Sequence, residues 1–141
     1  MSKAISMESG IEKIVAKDTR YPKEAYKFIA ESVSKVCQQV LSRRKQNSRN
    51  RHITALQLLN GLRDILLSDY NCLAIDVLSH WNIQSTDDIG NIVFNLAKVN
   101  LLGISENDRI EDFHERFCFH SVFVLPFTPY KRLRALPVIQ L

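Results

Sequence analysis

Residues 71–103 read NCLAIDVLSHWNIQSTDDIGNIVFNLAKVNLLG, and this stretch decides the expected fold. Leu73, Ala74, Val77, Leu78 and Trp81 recur at three- and four-residue spacing, as one face of a helix does. Asn82-Ile83-Gln84-Ser85 makes a tight connection. Ser85 and Asp88 then offer a capping box, in which side-chain oxygens accept from the free amides of a helix start. The helix that follows places Ile89, Val93, Leu96 and Ala97 inward, and Gly103 stands where a left-handed helix end belongs. Helix, short turn, helix, then a small residue and a β-like stretch is the order of a winged helix-turn-helix. Residues 71–81 would be its first helix, 82–85 the turn and 86–100 the recognition helix.

Upstream, Thr54 is a good N-cap, Gln57 closes its capping box, and Ile53 and Leu58 occupy the two positions of a hydrophobic staple. Leu58, Leu59, Leu62, Ile65 and Leu66 supply that helix's buried stripe, and Asp69 can cap the next one. Pro22 opens the longest helical pattern, with Ala25, Phe28, Ile29, Val33, Val36, Cys37, Val40 and Leu41 along one face. Residues 42–51 contain no apolar side chain and read as an exposed basic loop. Residues 1–10 are small and polar and are expected to fray, with a short amphipathic turn after them at Ile11, Ile14 and Val15.

Downstream, Ser105 and Asp108 can cap a brief helix through Ile110 and Phe113. Residues 117–125, rich in aromatic and β-branched side chains, read as a strand or an extended packing segment stopped by Pro126. The fold expected is therefore mainly α: a compact helical domain with a helix-turn-helix or winged-helix-like core and a short C-terminal β or extended segment. Residues 1–10 form a flexible N-terminus, 11–125 one domain and 126–141 an extended basic tail. No repeat is present, and 141 residues suit one domain.

Charge is segregated along the chain. Residues 1–52 carry twelve Lys/Arg against five Asp/Glu, residues 53–116 carry four against ten, and residues 117–141 carry three against none. Either the basic start packs on the acidic middle, or it faces a polyanion or acidic partner. The expected recognition helix begins Thr86-Asp87-Asp88, the wrong sign for DNA phosphates, and its donors are only Asn91, Asn95 and Lys98. The basic loop is the better nucleic-acid surface, through Arg43, Arg44, Lys45, Arg49 and Arg51, with Lys131, Arg132 and Arg134 of the tail as a further basic group.

Little else points to chemistry. Four glycines leave no phosphate loop or dinucleotide fingerprint, so no cofactor and no enzymatic activity are expected. His114, Cys118 and His120, with Cys72 or His80, lack the close pairing of zinc ligands, and no metal is expected. Cys118 is expected to be buried, and no helix start presents a cysteine as a thiolate. Trp81 reads as a core anchor, and Tyr21, Tyr26 and Phe28 either stack bases or divide between core and rim. Three scattered cysteines fit a reducing compartment, and no stretch approaches the roughly 18 apolar residues of a membrane span.

The segments from Arg20 to Phe28, from Arg51 to Asp64, and from His80 to Leu96 resemble a small family of unassigned activity described as a signature protein of the Planctomycetes–Verrucomicrobia–Chlamydiae bacteria. The resemblance covers about residues 11–119. It implies a cytoplasmic bacterial protein of housekeeping character that binds nucleic acid, and it supplies no catalytic residues. Where the family turns acidic, at the residues matching Phe117 to Phe123, this chain is apolar. The function expected is non-enzymatic binding of DNA or RNA, mainly electrostatic and weakly sequence-specific. The alternative is a protein-interaction module or homodimeric adaptor, using the acidic helices around Asp87, Asp88 and Glu111 or an apolar patch of Phe119, Phe123 and Phe127.

Overall fold

Pro22 fixes the backbone at the threshold of the longest helix, and the stripe it introduces becomes the wall on which the other helices lean. In the computed structural model, which describes residues 3–43, 53–103 and 108–128, that helix is α2 (Lys23–Arg43). It follows α1 (Lys3–Lys17) and precedes α3 (Ala55–Tyr70), α4 (Ala74–His80) and α5 (Thr86–Lys98). Ala25, Tyr26, Ile29, Val33 and Val36 of α2 are buried against Leu59, Leu62 and Leu66 of α3 and Ile89, Ile92 and Leu96 of α5. Among the described residues the fold is mainly helical, with no β-strand and no helix long and apolar enough to cross a membrane.

Several starts and stops differ from the sequence reading. Helix α1 begins at Lys3, because Met7, Gly10, Ile11 and Ile14 share one face and pack on the core. Helix α3 begins as expected, with Thr54 Oγ1 accepting from Gln57 N at 3.1 Å and Gln57 Oε1 accepting from Thr54 N at 3.0 Å. It runs on through Asp69, which therefore caps nothing, and breaks at Asn71, whose φ is 51°. A single 3-10 turn leads into α4 and leaves Leu73 exposed. Gly103 does not end α5. Asn100 does so at φ 62°, with Leu101 N donating to Leu96 O at 3.0 Å and Asn100 N donating to Ala97 O. Asn82, at φ 61°, closes α4 with the same pair of bonds, from Ile83 N to Leu78 O and from Asn82 N to Ser79 O. Each asparagine takes the left-handed position that lets two terminal carbonyls find donors.

Helix α5 is the pivot of the fold. Of its thirteen residues only Lys98 is exposed, because α1, α2 and the turn at Ile110–Phe113 cover its sides. Thr86, fully buried, donates to Phe113 O at 2.6 Å and accepts from Arg116 N at 3.1 Å, which pins residues 113–116 across the start of the helix. A Cβ at Gly90 would lie 2.7 Å from Phe113 Cβ, so a bare backbone is what admits the phenylalanine. The recognition-helix reading of 86–100 finds no support in this packing, since every residue of α5 but Lys98 is buried or half-buried against its neighbours.

The stretch expected as a strand winds instead into helical turns at His120–Val124 and Leu125–Phe127. Phe119 and Phe123, four residues apart, then share a face and meet edge to face at 5.3 Å with Phe117 beside them. Both are buried, so the expected patch of three exposed phenylalanines reduces to Phe127 with Leu125. Trp81 is buried too, 5.2 Å from Phe28 and 6.4 Å from Tyr70, as a core anchor should be.

Candidate functional site

The link between α1 and α2, residues 18–22, is held to α5 by side chains nearly seventy residues away. Asp88, Asn91 and Asn95 recur at three- and four-residue spacing along α5 and so rise on one face. Tyr21 Oη donates to Asp88 Oδ1 at 2.5 Å and accepts from Asn91 Nδ2 at 3.1 Å. Asn95 Nδ2 donates to Tyr26 Oη at 3.1 Å and to Asp18 Oδ2 at 3.0 Å. Asn82 Nδ2 donates to the carbonyl of Arg20. The asparagines read as exposed donors of a recognition helix are therefore spent inside the protein. Tyr21 and Tyr26, both buried, present no surface for stacking bases.

Asp18 and Arg20 form the outer edge of this network. The guanidinium holds both carboxylate oxygens, at 2.9 Å and 3.1 Å from Nε and 2.6 Å from Nη2. That pairing keeps the Asp18 carboxyl well below the usual aspartate range and Arg20 firmly protonated. Burial, with the bond to Asp88 adding to it, pushes the Tyr21 hydroxyl up to about 12. A carboxyl with a lowered native pKa stabilises the fold above its unfolded value and stops doing so as the pH falls through the native one. Thermal stability is therefore expected to decline on acidification below about pH 4, and Asp18→Asn, less stable at neutral pH by about 1–2 kcal/mol, should decline less steeply. Parallel melting-temperature curves for the two proteins would contradict the role given to Asp18.

Beside this edge lies a groove of about 530 Å³ between the C-terminal ends of α1 and α5. Lys13, Lys17, Arg20 and Lys98 line it together with Asp18 and Asn95. Among the described residues the three lysines make no ion pair. A second hollow, of about 430 Å³, lies among α2, α3 and α5 and is walled mostly by apolar groups such as Val33, Leu58, Phe94 and Phe113.

Of the basic residues singled out in the sequence, Arg43 is the exposed last residue of α2. Arg44, Lys45, Arg49, Arg51, Lys131, Arg132 and Arg134 lie outside the described residues. The groove lysines were missed as a group, since no local signal pairs α1 with the end of α5.

Among the described residues no three His, Cys, Asp or Glu side chains converge as metal ligands would. His114 instead pairs with Asp87 at 2.9 Å, and that bond raises its pKa. Cys118 departs from expectation: it is exposed, and hydrogen bonds from the Ser121 and His120 backbone lower its thiol pKa, while burial raises that of Cys37. Because the thiolate is the reactive form, iodoacetamide at neutral pH should label Cys118 at least about tenfold faster than Cys37. Peptide mapping that found the reverse order would contradict this placement.

No family model, curated protein or solved structure matches the chain.

Proposed function

We propose that the protein binds nucleic acid through its phosphate backbone, without enzymatic turnover and with little preference for base sequence. One observation carries the reading. Lys13, Lys17 and Lys98, brought to one surface by the packing of α1 on α5, make no ion pair among the described residues. Unpaired cations on one part of a surface attract polyanions and give little base discrimination.

The covered position of α5 favours the same reading, since backbone contact needs no helix in a groove. The helix-turn-helix order of α4 and α5 then serves as scaffold. The resemblance to the bacterial signature family points toward nucleic acid as well. Contact would run from Arg43 into the basic stretch with Arg44, Lys45, Arg49 and Arg51, with Lys131, Arg132 and Arg134 available from the tail.

The double variant Arg43→Glu/Arg44→Glu tests the assignment by fluorescence anisotropy with a labelled duplex and a labelled single strand. Affinity is expected to fall roughly tenfold for both at moderate salt. Shuffling the probe sequence should change it less than about threefold. Unaltered binding by the double variant would overturn the role of this stretch.

A further inference from the structure

We infer that the groove between α1 and α5 is a phosphate-binding site that clamps one stretch of a nucleic-acid backbone, with Lys13, Lys17, Arg20 and Lys98 as its cations. The inference rests on the nucleic-acid function proposed for the chain and gives it a location among side chains whose positions are described.

Five observations lead to it. The cations come from two parts of the chain distant in sequence, α1 with the link after it and the end of α5, so their meeting is a product of the fold. The lysines are unpaired among the described residues. The one carboxylate in the lining, Asp18, has both oxygens engaged by Arg20, with Asn95 on the second as well, and so offers an incoming anion a neutralised edge. Arg20 is held in place by that same pairing, while its Nη1 makes no hydrogen bond among the described residues and is free to donate. The groove's size, about 530 Å³, falls among cavities that take a nucleotide-sized group.

One feature of the site opposes an anion. The carbonyl ends of α1 and α5 lie here, each equivalent to roughly half a negative charge. In α5 the left-handed turn at Asn100 satisfies two of those carbonyls. Three unpaired ammonium groups outweigh what remains, and the guanidinium beyond them adds donors in the planar arrangement that phosphate oxygens accept.

The experiment compares the full chain, Lys17→Glu/Lys98→Glu, and a charge-matched control, Lys27→Glu/Lys35→Glu, which alters exposed lysines of α2 outside the groove. Anisotropy with a labelled mixed-sequence duplex is measured over a salt series. All altered residues are exposed, so circular dichroism should show the three proteins equally folded. The groove variant is expected to bind at least tenfold more weakly, with a salt slope shallower by about 0.9 for each phosphate it no longer engages. The control should weaken less than threefold. Equal weakening in the two variants would overturn the groove and leave a diffuse charge effect. Undiminished binding by the groove variant would overturn it alone, whereas failure of the unaltered protein to bind would overturn the function and the groove together. Inorganic phosphate supplies the second arm. Saturable shifts of the Asn95 side-chain amide with phosphate, in a protein that ignores nucleic acid, would assign the groove to a free phosphate and refute the backbone clamp.

Discussion

Gly90→Val is expected to destabilise the protein by about 3 kcal/mol, the upper end for overpacking a filled core. At this chain length that is a drop of roughly 10 °C in melting temperature. A helical glycine is ordinarily a weak point, and alanine there would be worth about 1 kcal/mol in propensity. Here the sign reverses. The first atom added at Gly90 would stand 2.7 Å from Phe113 Cβ and 2.8 Å from its Cγ, and valine adds two methyl groups to that. Phe113 cannot withdraw freely, because its own carbonyl accepts from the buried Thr86 hydroxyl and its ring packs edge-on to Phe94 at 6.2 Å. Relief therefore requires lifting the whole 110–116 segment from α5. Gly103 is the natural control, since a Cβ there meets nothing within 4 Å, and Gly103→Ala should stay within about 0.5 kcal/mol of the parent. Urea denaturation of the two variants separates the cases. A Gly90→Val protein as stable as the parent would mean that Phe113 does not rest on α5.

Asp88→Ala should cost about 3 kcal/mol, by a different route. The carboxylate accepts from Tyr21 Oη through Oδ1 and from Gln84 N at 2.8 Å through Oδ2, and it lies in the first turn of α5, where a negative charge favours the helix dipole. Alanine removes the acceptor of the hydroxyl proton of Tyr21, which is only 2% exposed, and it frees the link between α4 and α5. Asp88→Asn keeps one acceptor and replaces the other with a donor, so one of the two partners goes unmatched and an intermediate cost of about 1–2 kcal/mol is expected. In a double-mutant cycle, Tyr21→Phe and Asp88→Ala should couple by about 1–2 kcal/mol, because they remove two ends of one bond. Additive effects would show that the bond contributes nothing beyond its surroundings.

These two sites show where the sequence is legible and where it stops. Thr54 and Gln57 sit three residues apart and cap their helix as local chemistry demands, because both partners lie in the same turn. The stripes of α2 and α3 are legible for the same reason, as burial follows a period that a single helix carries by itself. Residues 117–125 fail because Phe117, Phe119 and Phe123 satisfy period two, while Phe119 and Phe123 alone also satisfy a helical turn. Aromatic packing decided for the turn. Gly90 looks like a helix-breaking residue until Phe113 is placed beside it. Asn91 and Asn95 look like free donors until Tyr21, Tyr26 and Asp18 arrive from the other end of the chain. The same long-range meeting makes the basic groove: Lys13 and Lys17 lie one turn apart and could be read together, but Lys98 joins them only through the packing of α1 on α5. Asn100 shows a subtler limit. Glycine is the commoner residue at a left-handed helix end, yet asparagine tolerates it, and here the asparagine came first in the chain.

The function proposed is that the basic surface of this protein holds the phosphates of a nucleic acid. The most direct measurement is the affinity of the full chain for duplex DNA and single-stranded RNA between about 50 and 200 mM salt. Four or five phosphate contacts predict a log–log slope of about −4 on duplex and a shallower one, near −3, on a single strand. No binding at the lowest salt, or binding whose strength does not change with salt, would contradict it.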